Sequence, residues 1–253
     1  MNDTNITKQL GGLLADINIL ICRPEASANE LSTALSALGA HCYTFPTLAI
    51  SECALSEADK QCILNLDQYK LVVVTSQHAA RFGLERIDQY WPQFPSDQTW
   101  LAIGQKTASL LANESLSLLS PKQDHNSESL LKEPILQKVK QQKILIMKGQ
   151  DGRDTLHQVL SKRGALVDQL EVYSRQRPEV STQDVQKALV EFQADYIVAL
   201  SGETLLNLIS LCEEQHIDLS SKTLIVPSHR VANIAYEQGF KSVLIPANLK
   251  PID

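Results

Sequence analysis

Short, continuous runs of branched apolar residues recur along the chain, separated by more polar segments. Uninterrupted runs of this length predict strands of a parallel sheet that is covered on both faces. The predicted strands are Ile19–Cys22, Leu71–Val74, Trp100–Ile103, Ile144–Met147, Tyr196–Leu200 and Leu224–Val226. Between them, leucines and valines follow at helical spacing, and three of these segments end at a glycine suited to a helix C-cap: Gly39, Gly164 and Gly239. The pattern predicts an α/β fold.

The chain also resembles itself at an offset of roughly 125 residues. Ile19–Ile21 aligns with Ile144–Ile146, and the serine that follows the second predicted strand, Ser76, aligns with Ser201. Towards the carboxyl end the offset slips by about two residues. The repeat predicts two similar α/β halves.

The position of the domain boundary stays open at this level. A polar stretch, Ser120–Ser129, favours two consecutive domains. Two segments at equivalent points of the halves, Phe45–Ser51 and Glu171–Pro178, instead suggest crossings from one domain to the other. Composition alone does not choose between the two divisions.

Length, charge and cysteine usage exclude several classes of protein. The 253 residues are 43% hydrophobic, which is enough to form globular cores without disulfides. A net charge of −6 argues against nucleic acid or an acidic membrane as partner. Five scattered cysteines without a C-x-x-C indicate no structural zinc and favour a reducing cytoplasm. With no apolar run of about 20 residues and a polar start, we expect neither a membrane span nor export.

Residues with binding chemistry concentrate where predicted strands lead into helices. Ligands of parallel sheets bind at these junctions, because helix N-termini present unpaired N–H groups there. The junctions read Cys22-Arg23-Pro24, Thr75-Ser76-Gln77-His78, Gly104-Gln105-Lys106-Thr107, Lys148-Gly149-Gln150-Asp151-Gly152-Arg153, Leu200-Ser201-Gly202-Glu203 and Pro227-Ser228-His229-Arg230. They are rich in hydroxyl groups, glycine and positive charge on an otherwise acidic protein.

Any one of these residues is explained equally well by an ordinary helix cap or tight turn. Six junctions with the same chemistry in both halves instead favour a cleft between two domains that offers many donors to a polycarboxylate. Motifs for nucleotide phosphates, dinucleotides, zinc proteases and serine hydrolases are missing from the sequence. His78 and His229 lie at junctions, so a histidine base stays open.

Tyr173 lies in the second crossing segment and is followed by Arg175 and Arg177. A phenol keeps its proton at neutral pH and can donate it to a leaving hydroxyl group. The alternative is a linker tyrosine whose ring only packs. Both interpretations stay open on the residues alone.

Several segments, taken in order, resemble the uroporphyrinogen-III synthase family over almost the whole chain. Each is weak alone, and the ordered set with Y-S-R-x-R-P is specific. The segments are ILICRPE, LGAHCYTFPTLAI, YKLVVVTSQHAARF, TWLAIGQKTASLL, KILIMKGQDGRDTLHQVLSKRGALVDQLEVYSRQRP, DYIVALSGETLLNL and KTLIVPSHRVANIAYEQGF. The final junction, PSHR, departs from the G-P-T-T-like loop of some relatives, which weakens the assignment of Ser228 and Arg230.

The resemblance implies two flavodoxin-like lobes with parallel sheets, joined by a two-stranded antiparallel ladder. One lobe would combine residues 1–46 with 178–253, the other would take 53–170, and the ladder would pair 46–52 with 171–178. The repeat would then have exchanged its first strand-helix-strand unit between halves. Two thin crossings also predict a hinge.

The implied reaction is cyclisation of hydroxymethylbilane, a linear tetrapyrrole with eight carboxylates, to uroporphyrinogen III with inversion of ring D and loss of water. Tyr173 matches the family tyrosine that is the best candidate to protonate the leaving hydroxyl. The carboxylates would bind the junction residues Arg23, Ser76, Gln77, Thr107, Lys148, Gly149, Arg153, Ser201 and Ser228. The resemblance implies no cofactor and no metal, and we expect a monomer. A non-catalytic bilobal protein that closes on a small anion is the competing hypothesis.

Overall fold

A computed structural model describes residues 12–23, 25–112, 114, 116–121 and 126–247. Pro24 of the first junction and part of the polar stretch Ser120–Ser129 therefore lie outside the described residues. The chain divides into two compact units, one formed by residues 1–49 and 176–253 and the other by residues 50–175. The first unit is thus built from two separate stretches of chain.

The first unit contains a five-stranded parallel sheet of order β11-β10-β9-β1-β2. Its strands are β1 (Asn18–Ile21), β2 (His41–Thr44), β9 (Tyr196–Val198), β10 (Thr223–Ile225) and β11 (Ser242–Leu244). Its helices are α1 (Glu25–Ala37), α8 (Thr182–Gln186), which continues as a π-helix over Lys187–Glu191, α9 (Gly202–Glu214) and α10 (His229–Glu237).

The second unit contains a six-stranded sheet of order β3-β8-β7-β4-β5-β6. Its strands are β3 (Ala49–Glu52), β4 (Leu71–Val74), β5 (Thr99–Ala102), β6 (Ser117–Leu119), β7 (Lys143–Gly149) and β8 (Leu166–Gln176). Its helices are α2 (Glu57–Leu64), α3 (Gln77–Asp88), α4 (Gln105–Ala112), α5 (Ser127–Leu130), α6 (Pro134–Gln137) and α7 (Thr155–Lys162), with a 3-10 turn at Leu66–Gln68.

Both sheets contain the same five-strand order, in which a β-α-β pair lies beside three further strands, and the second sheet adds β3 at its edge. In the first unit the pair is β1 and β2, and in the second it is β7 and β8. This is the 2-1-3-4-5 order of flavodoxin-like folds, so the predicted fold class is confirmed. The predicted partners of the ladder appear as β3 and β8, which are hydrogen-bonded neighbours. β8 is longer than predicted because it also pairs with β7 as a full member of the sheet.

The predicted apolar strands are buried on both faces. In β4, Val72 and Val74 belong to one apolar cluster and Leu71 and Val73 to another. The first unit repeats this division, with alternate residues of β1 in two clusters. The predicted C-cap glycines Gly39, Gly164 and Gly239 all have positive φ, between 85° and 100°. Within the described ranges, no helix is long and apolar enough to cross a membrane.

Candidate active site

The strand order of each sheet reverses at one point, and several of the predicted site residues lie there. In the second unit the reversal falls between β4 and β7, which are parallel neighbours. Ser76 follows β4, while Lys148 and Gly149 end β7. Ligands of open α/β sheets bind outside the carboxyl ends of strands at this point. In the first unit the reversal falls between β1 and β9, with Arg23 and Ser201 just beyond them.

A β-bulge in β8 directs the side chain of Tyr173 towards the core of the second unit. Lys148 pairs with Glu171 and the next residue, Gly149, pairs with Tyr173, so Val172 is the extra residue. An added residue reverses the side that the following side chains face. Val172 and Tyr173 consequently lie in the same buried cluster, although they are consecutive in a strand. The bulge therefore makes Tyr173 an inward-facing residue.

The phenol of Tyr173 is held by close neighbours. Its hydroxyl lies 3.1 Å from Ser76 Oγ. Its ring centroid lies 5.6 Å from that of His78 and 6.3 Å from that of Phe82. A Cβ atom at Gly149 would lie only 2.6 Å from the ring Cζ atom. The side chain is 5% exposed, so Tyr173 packs tightly and also presents a polar group at the carboxyl edge.

Ser76 is the N-cap of α3, and its neighbour Gln77 is the first residue of that helix. Ser76 Oγ accepts a hydrogen bond from Ala79 N over 3.0 Å. Before it, Thr75 donates its hydroxyl to the Met147 carbonyl over 3.0 Å. These bonds fix the start of α3 against the end of β7, next to Tyr173.

His78 lies on the other side of the tyrosine ring. Its pKa is lowered below the ordinary histidine value, first because the ring is half-buried and then because Arg81 and Arg175 carry positive charge nearby. The imidazole is therefore neutral at pH 7. A neutral imidazole has one nitrogen that donates and one that accepts a hydrogen bond. The positive charge near Tyr173 therefore comes from Arg81 and Arg175.

Lys148 is buried at the end of β7, with an exposed fraction of 4%. Its ammonium group donates a hydrogen bond to Asp154 Oδ1 over 2.8 Å, and Gln169 donates to the same oxygen over 3.2 Å. The hydrogen bond from Lys148 is the main reason that the pKa of Asp154 is lowered. Lys148 therefore fixes the loop between β7 and α7, and its positive charge is paired with the carboxylate of Asp154.

The other two site residues predicted in this unit differ in accessibility. Thr107 is only 3% exposed on α4. Arg153 is 73% exposed at its side chain and reaches Glu128 at 3.4 Å. Arg153 is exposed to solvent, whereas Thr107 is buried.

Four side chains in the first unit form a polar network at the start of α9. Ser201 is the N-cap, accepts from Thr204 N over 3.1 Å and lies 2.8 Å from the Thr204 hydroxyl. Thr47 is fully buried and donates to the Thr204 carbonyl over 2.9 Å. Asn207 donates to the Thr47 carbonyl over 2.8 Å. Thr47, Thr204 and Asn207 were not among the predicted site residues, although a serine after a strand, here Ser201, is a preferred N-cap and marks the start of this helix.

Arg23 and Ser228 complete the predicted set in the first unit. Arg23 is 8% exposed, and burial lowers its pKa while Glu30 opposes the shift. Ser228 precedes α10 in the N-cap position, yet its side chain makes no capping hydrogen bond. Arg230 of the same helix has Nη1 3.6 Å from where a Cβ of Gly202 would lie. The structure thus brings Arg230 to the start of α9.

Two grooves lie elsewhere. One of about 430 Å³ in the second unit is lined by Cys53, Ala54, Ser56, Asp59, Gln150, Gln169 and Glu171. Burial raises the pKa of Glu171 there, although Lys148 partly offsets the shift. The other, of about 440 Å³, lies at the amino edge of the first sheet, around the ends of α9 and α10. Neither groove includes Tyr173. In the part of the chain that the structure describes, no three histidine, cysteine or acidic side chains are grouped to hold a metal ion.

Two of the solved structures that share this fold are uroporphyrinogen-III synthases. The structure of a mutant uroporphyrinogen III synthase from the extremely thermophilic bacterium Thermus thermophilus matches with a TM-score of 0.60 and 18% identity, covering 92% of this chain and 93% of that one. The uroporphyrinogen-III synthetase of Helicobacter pylori 26695 matches with a TM-score of 0.57 and 13% identity, covering 92% and 94%. At these identities the likeness concerns the fold.

Sequence comparison extends the likeness to the family. Uroporphyrinogen-III synthase of Escherichia coli (strain K12) is 31% identical over 242 residues, which cover 92% of this chain and 96% of that protein. The Salmonella typhimurium (strain LT2) protein of the same name is 30% identical with the same coverage. The family model described as Uroporphyrinogen-III synthase HemD matches residues 29–251. With most of its length matched in this way, the chain belongs to the uroporphyrinogen-III synthase family.

Proposed function

We propose that this chain cyclises hydroxymethylbilane to uroporphyrinogen III, with inversion of ring D and loss of water, as a lyase of heme biosynthesis. The family assignment supports this reaction, and the position of Tyr173 carries the proposal for its mechanism. A bulge directs the Tyr173 phenol to the reversal point of its sheet, where Ser76 Oγ lies 3.1 Å from the hydroxyl. A proton donor is thus available at the edge where this fold binds ligands.

Tyr173 donates its proton to the terminal hydroxyl of the bilane. The C–O bond breaks, water leaves, and the pyrrole electrons stabilise the resulting azafulvene cation. Ring D then attacks through its substituted carbon to give a spiro intermediate, which fragments and recloses in the other sense. The bilane also closes unaided without inversion, so the enzyme mainly steers a reactive chain by holding it folded.

The carboxylates of the bilane bind donors at the carboxyl edges of the sheets. Helix N-termini supply N–H groups there without requiring a basic protein, which fits a net charge of −6. In the second unit the candidate donors are Ser76, Gln77, Thr107, Lys148, Gly149 and Arg153, and in the first unit they are Arg23, Ser201 and Ser228. Of these, Thr107, Lys148 and Arg23 are buried and support the edge from beneath the surface. Arg153 is the most accessible cation of this set, while Lys148 contributes by shaping the loop that carries Arg153.

The segments 46–52 and 171–178 act as the ladder that connects the lobes, 1–46 with 178–253 and 53–170. The enzyme works as a monomer in the cytoplasm without nucleic acid or a membrane. Its five cysteines, all free in the structure, support a reducing compartment. Light scattering on the purified protein at micromolar concentration tests the monomer.

The decisive experiment supplies fresh hydroxymethylbilane and resolves the product isomers by chromatography. We expect the inverted isomer to exceed the spontaneous product, and Tyr173→Phe to lower kcat by about 10²-fold, the scale of a positioned acid. Exclusive formation of the non-inverted isomer at the spontaneous rate would reject the function. Tight binding of a small anion without turnover would favour a binding protein instead. An unchanged kcat in Tyr173→Phe would leave the tyrosine a packing residue.

A further inference from the structure

We infer that Ser76 acts through Tyr173, as a positioning residue that holds the phenol and stabilises the phenolate left after proton transfer. This inference rests on the proposed function and replaces direct binding of a substrate carboxylate by the Ser76 hydroxyl. Two observations carry it. Ser76 Oγ is 3.1 Å from the Tyr173 hydroxyl, and the same oxygen already caps α3 through Ala79 N.

The hydrogen-bonding capacity of the serine hydroxyl decides its role. A hydroxyl has one proton to donate and two lone pairs. The Ala79 N–H occupies one lone pair of Ser76, so the proton and one lone pair remain. When the Tyr173 O–H points at the substrate, the remaining Ser76 proton is donated to the phenol oxygen. A proton donated in this way is unavailable to a carboxylate of the bilane.

The same hydrogen bond strengthens as the reaction proceeds. The Tyr173 O–H bond breaks, a new O–H bond forms on the leaving hydroxyl, and water departs with the electrons of the C–O bond. The phenolate oxygen then carries negative charge, and hydrogen bonds to charged groups are about twice as strong as neutral ones. The proton released by the cyclised ring system returns to the phenolate. Ser76 therefore favours the transition state more than the bound substrate, which raises kcat without changing KM.

The ring has little freedom to leave this hydrogen bond. Gly149 approaches it so closely that a Cβ would lie 2.6 Å from Cζ and 2.9 Å from the phenol oxygen. The His78 and Phe82 rings lie 5.6 Å and 6.3 Å away. These neighbours enclose the ring and hold the Tyr173 hydroxyl next to Ser76 Oγ. The contact between the two hydroxyl groups therefore follows from the packing of the ring.

A double-mutant cycle tests the inference, with kcat and KM measured for the inverted product. We expect Ser76→Ala to lower kcat about tenfold and to leave KM within about twofold, a loss on the scale of one hydrogen bond to a charged group. Ser76→Thr should retain most activity because it keeps the hydroxyl. In a Tyr173→Phe background, Ser76→Ala should cost less than about twofold, because the group through which Ser76 acts is gone.

Removing Ser76 also removes a helix cap, so two controls separate the effects. Ser76→Gly loses the hydroxyl with only a few tenths of a kcal/mol of capping energy and should match Ser76→Ala in kcat. Ser56→Ala removes the N-cap of α2, which accepts from Asp59 N over 3.1 Å, and should lower stability without lowering kcat.

The outcomes distinguish this inference from the proposed function. Losses that multiply in the double variant, or a raised KM with kcat retained in Ser76→Ala, would make Ser76 a direct ligand of the substrate and overturn the inference alone. A wild-type chain that yields only the non-inverted isomer at the spontaneous rate would overturn the proposed function and the inference with it.

Discussion

At the scale of single residues, the space for the Tyr173 ring depends on the absence of a side chain at Gly149. Gly149 has no Cβ, and its φ lies outside the left-handed region, so the glycine is required for space alone. Ser76, in the loop after β4, was predicted as a junction residue, but its contact with Tyr173 was not predicted. Sequence patterns place residues along one strand and leave the contacts between strands undetermined.

Gly149→Ala should therefore destabilise the protein by about 1–3 kcal/mol, the usual cost of overpacking. The new methyl group would lie 2.6 Å from the Tyr173 ring. In a Tyr173→Ala background, Gly149→Ala should therefore lower the free energy of unfolding by much less than it does in the wild type. Urea unfolding of both single variants and the double variant measures the coupling. Gly12→Ala is the matched control, since nothing lies within 4 Å of its added Cβ. Additive losses at positions 149 and 173 would contradict the steric explanation.

At the scale of elements, strands with continuous apolar runs were predictable and strands with mixed character were not. Leu71–Val74 was predicted with its observed bounds because both of its faces are buried. The apolar pattern missed five strands, β2, β3, β6, β8 and β11, of which β3 and β8 were expected only from the family resemblance, as partners of the ladder. β2 and β6 are edge strands that are largely exposed or half-buried, and β11 is another. β8 first alternates exposed with half-buried residues, then buried with half-buried residues, and breaks the alternation at its bulge. Edge position and bulges depend on the neighbouring strand, which a single sequence does not identify.

The loop between β7 and α7 should respond to acid through Asp154. Hydrogen bonds from Lys148 and Gln169 lower the Asp154 pKa below the ordinary aspartate value of about 3.9. A depressed folded-state pKa contributes stability above the unfolded-state value, and this stability is lost as the pH falls through the folded-state value. Asp154→Asn should therefore lower Tm by a few degrees at pH 7, and the difference from wild type should shrink as the pH falls below about 4.

Thermal unfolding of both proteins from pH 3 to pH 7 measures this difference. Asp151→Asn removes an exposed carboxylate from the same loop and controls for the change in net charge. A Tm difference that is constant across the range would show that the ion pair with Lys148 contributes nothing that depends on protonation.

At the scale of the whole molecule, the repeat was visible in the sequence while its pairing was not. The offset of roughly 125 residues predicts two alike halves. It does not say whether β1 joins the strands that follow it or those of the other half, because both alternatives bury equivalent apolar faces. In the structure Ile19 pairs with Tyr196, far along the chain. The residues alone left this crossing as one of two open divisions, and only the family resemblance chose it, since local patterns do not determine such distant pairing.

The division into units predicts that residues 49–176 fold by themselves. This stretch contains every strand of the six-stranded sheet and the apolar clusters on both of its faces. Both tryptophans of the chain, Trp91 and Trp100, lie in it, and Trp100 is fully buried. Tryptophan emission therefore reports the same unit in the fragment and in the full chain.

We expect a cooperative urea transition of the fragment with blue-shifted emission in the folded state. Residues 176–253 alone should not fold, because they lack the interior strand β1 and its neighbour β2. Red-shifted emission and a non-cooperative transition of 49–176 would show that the second unit depends on the first.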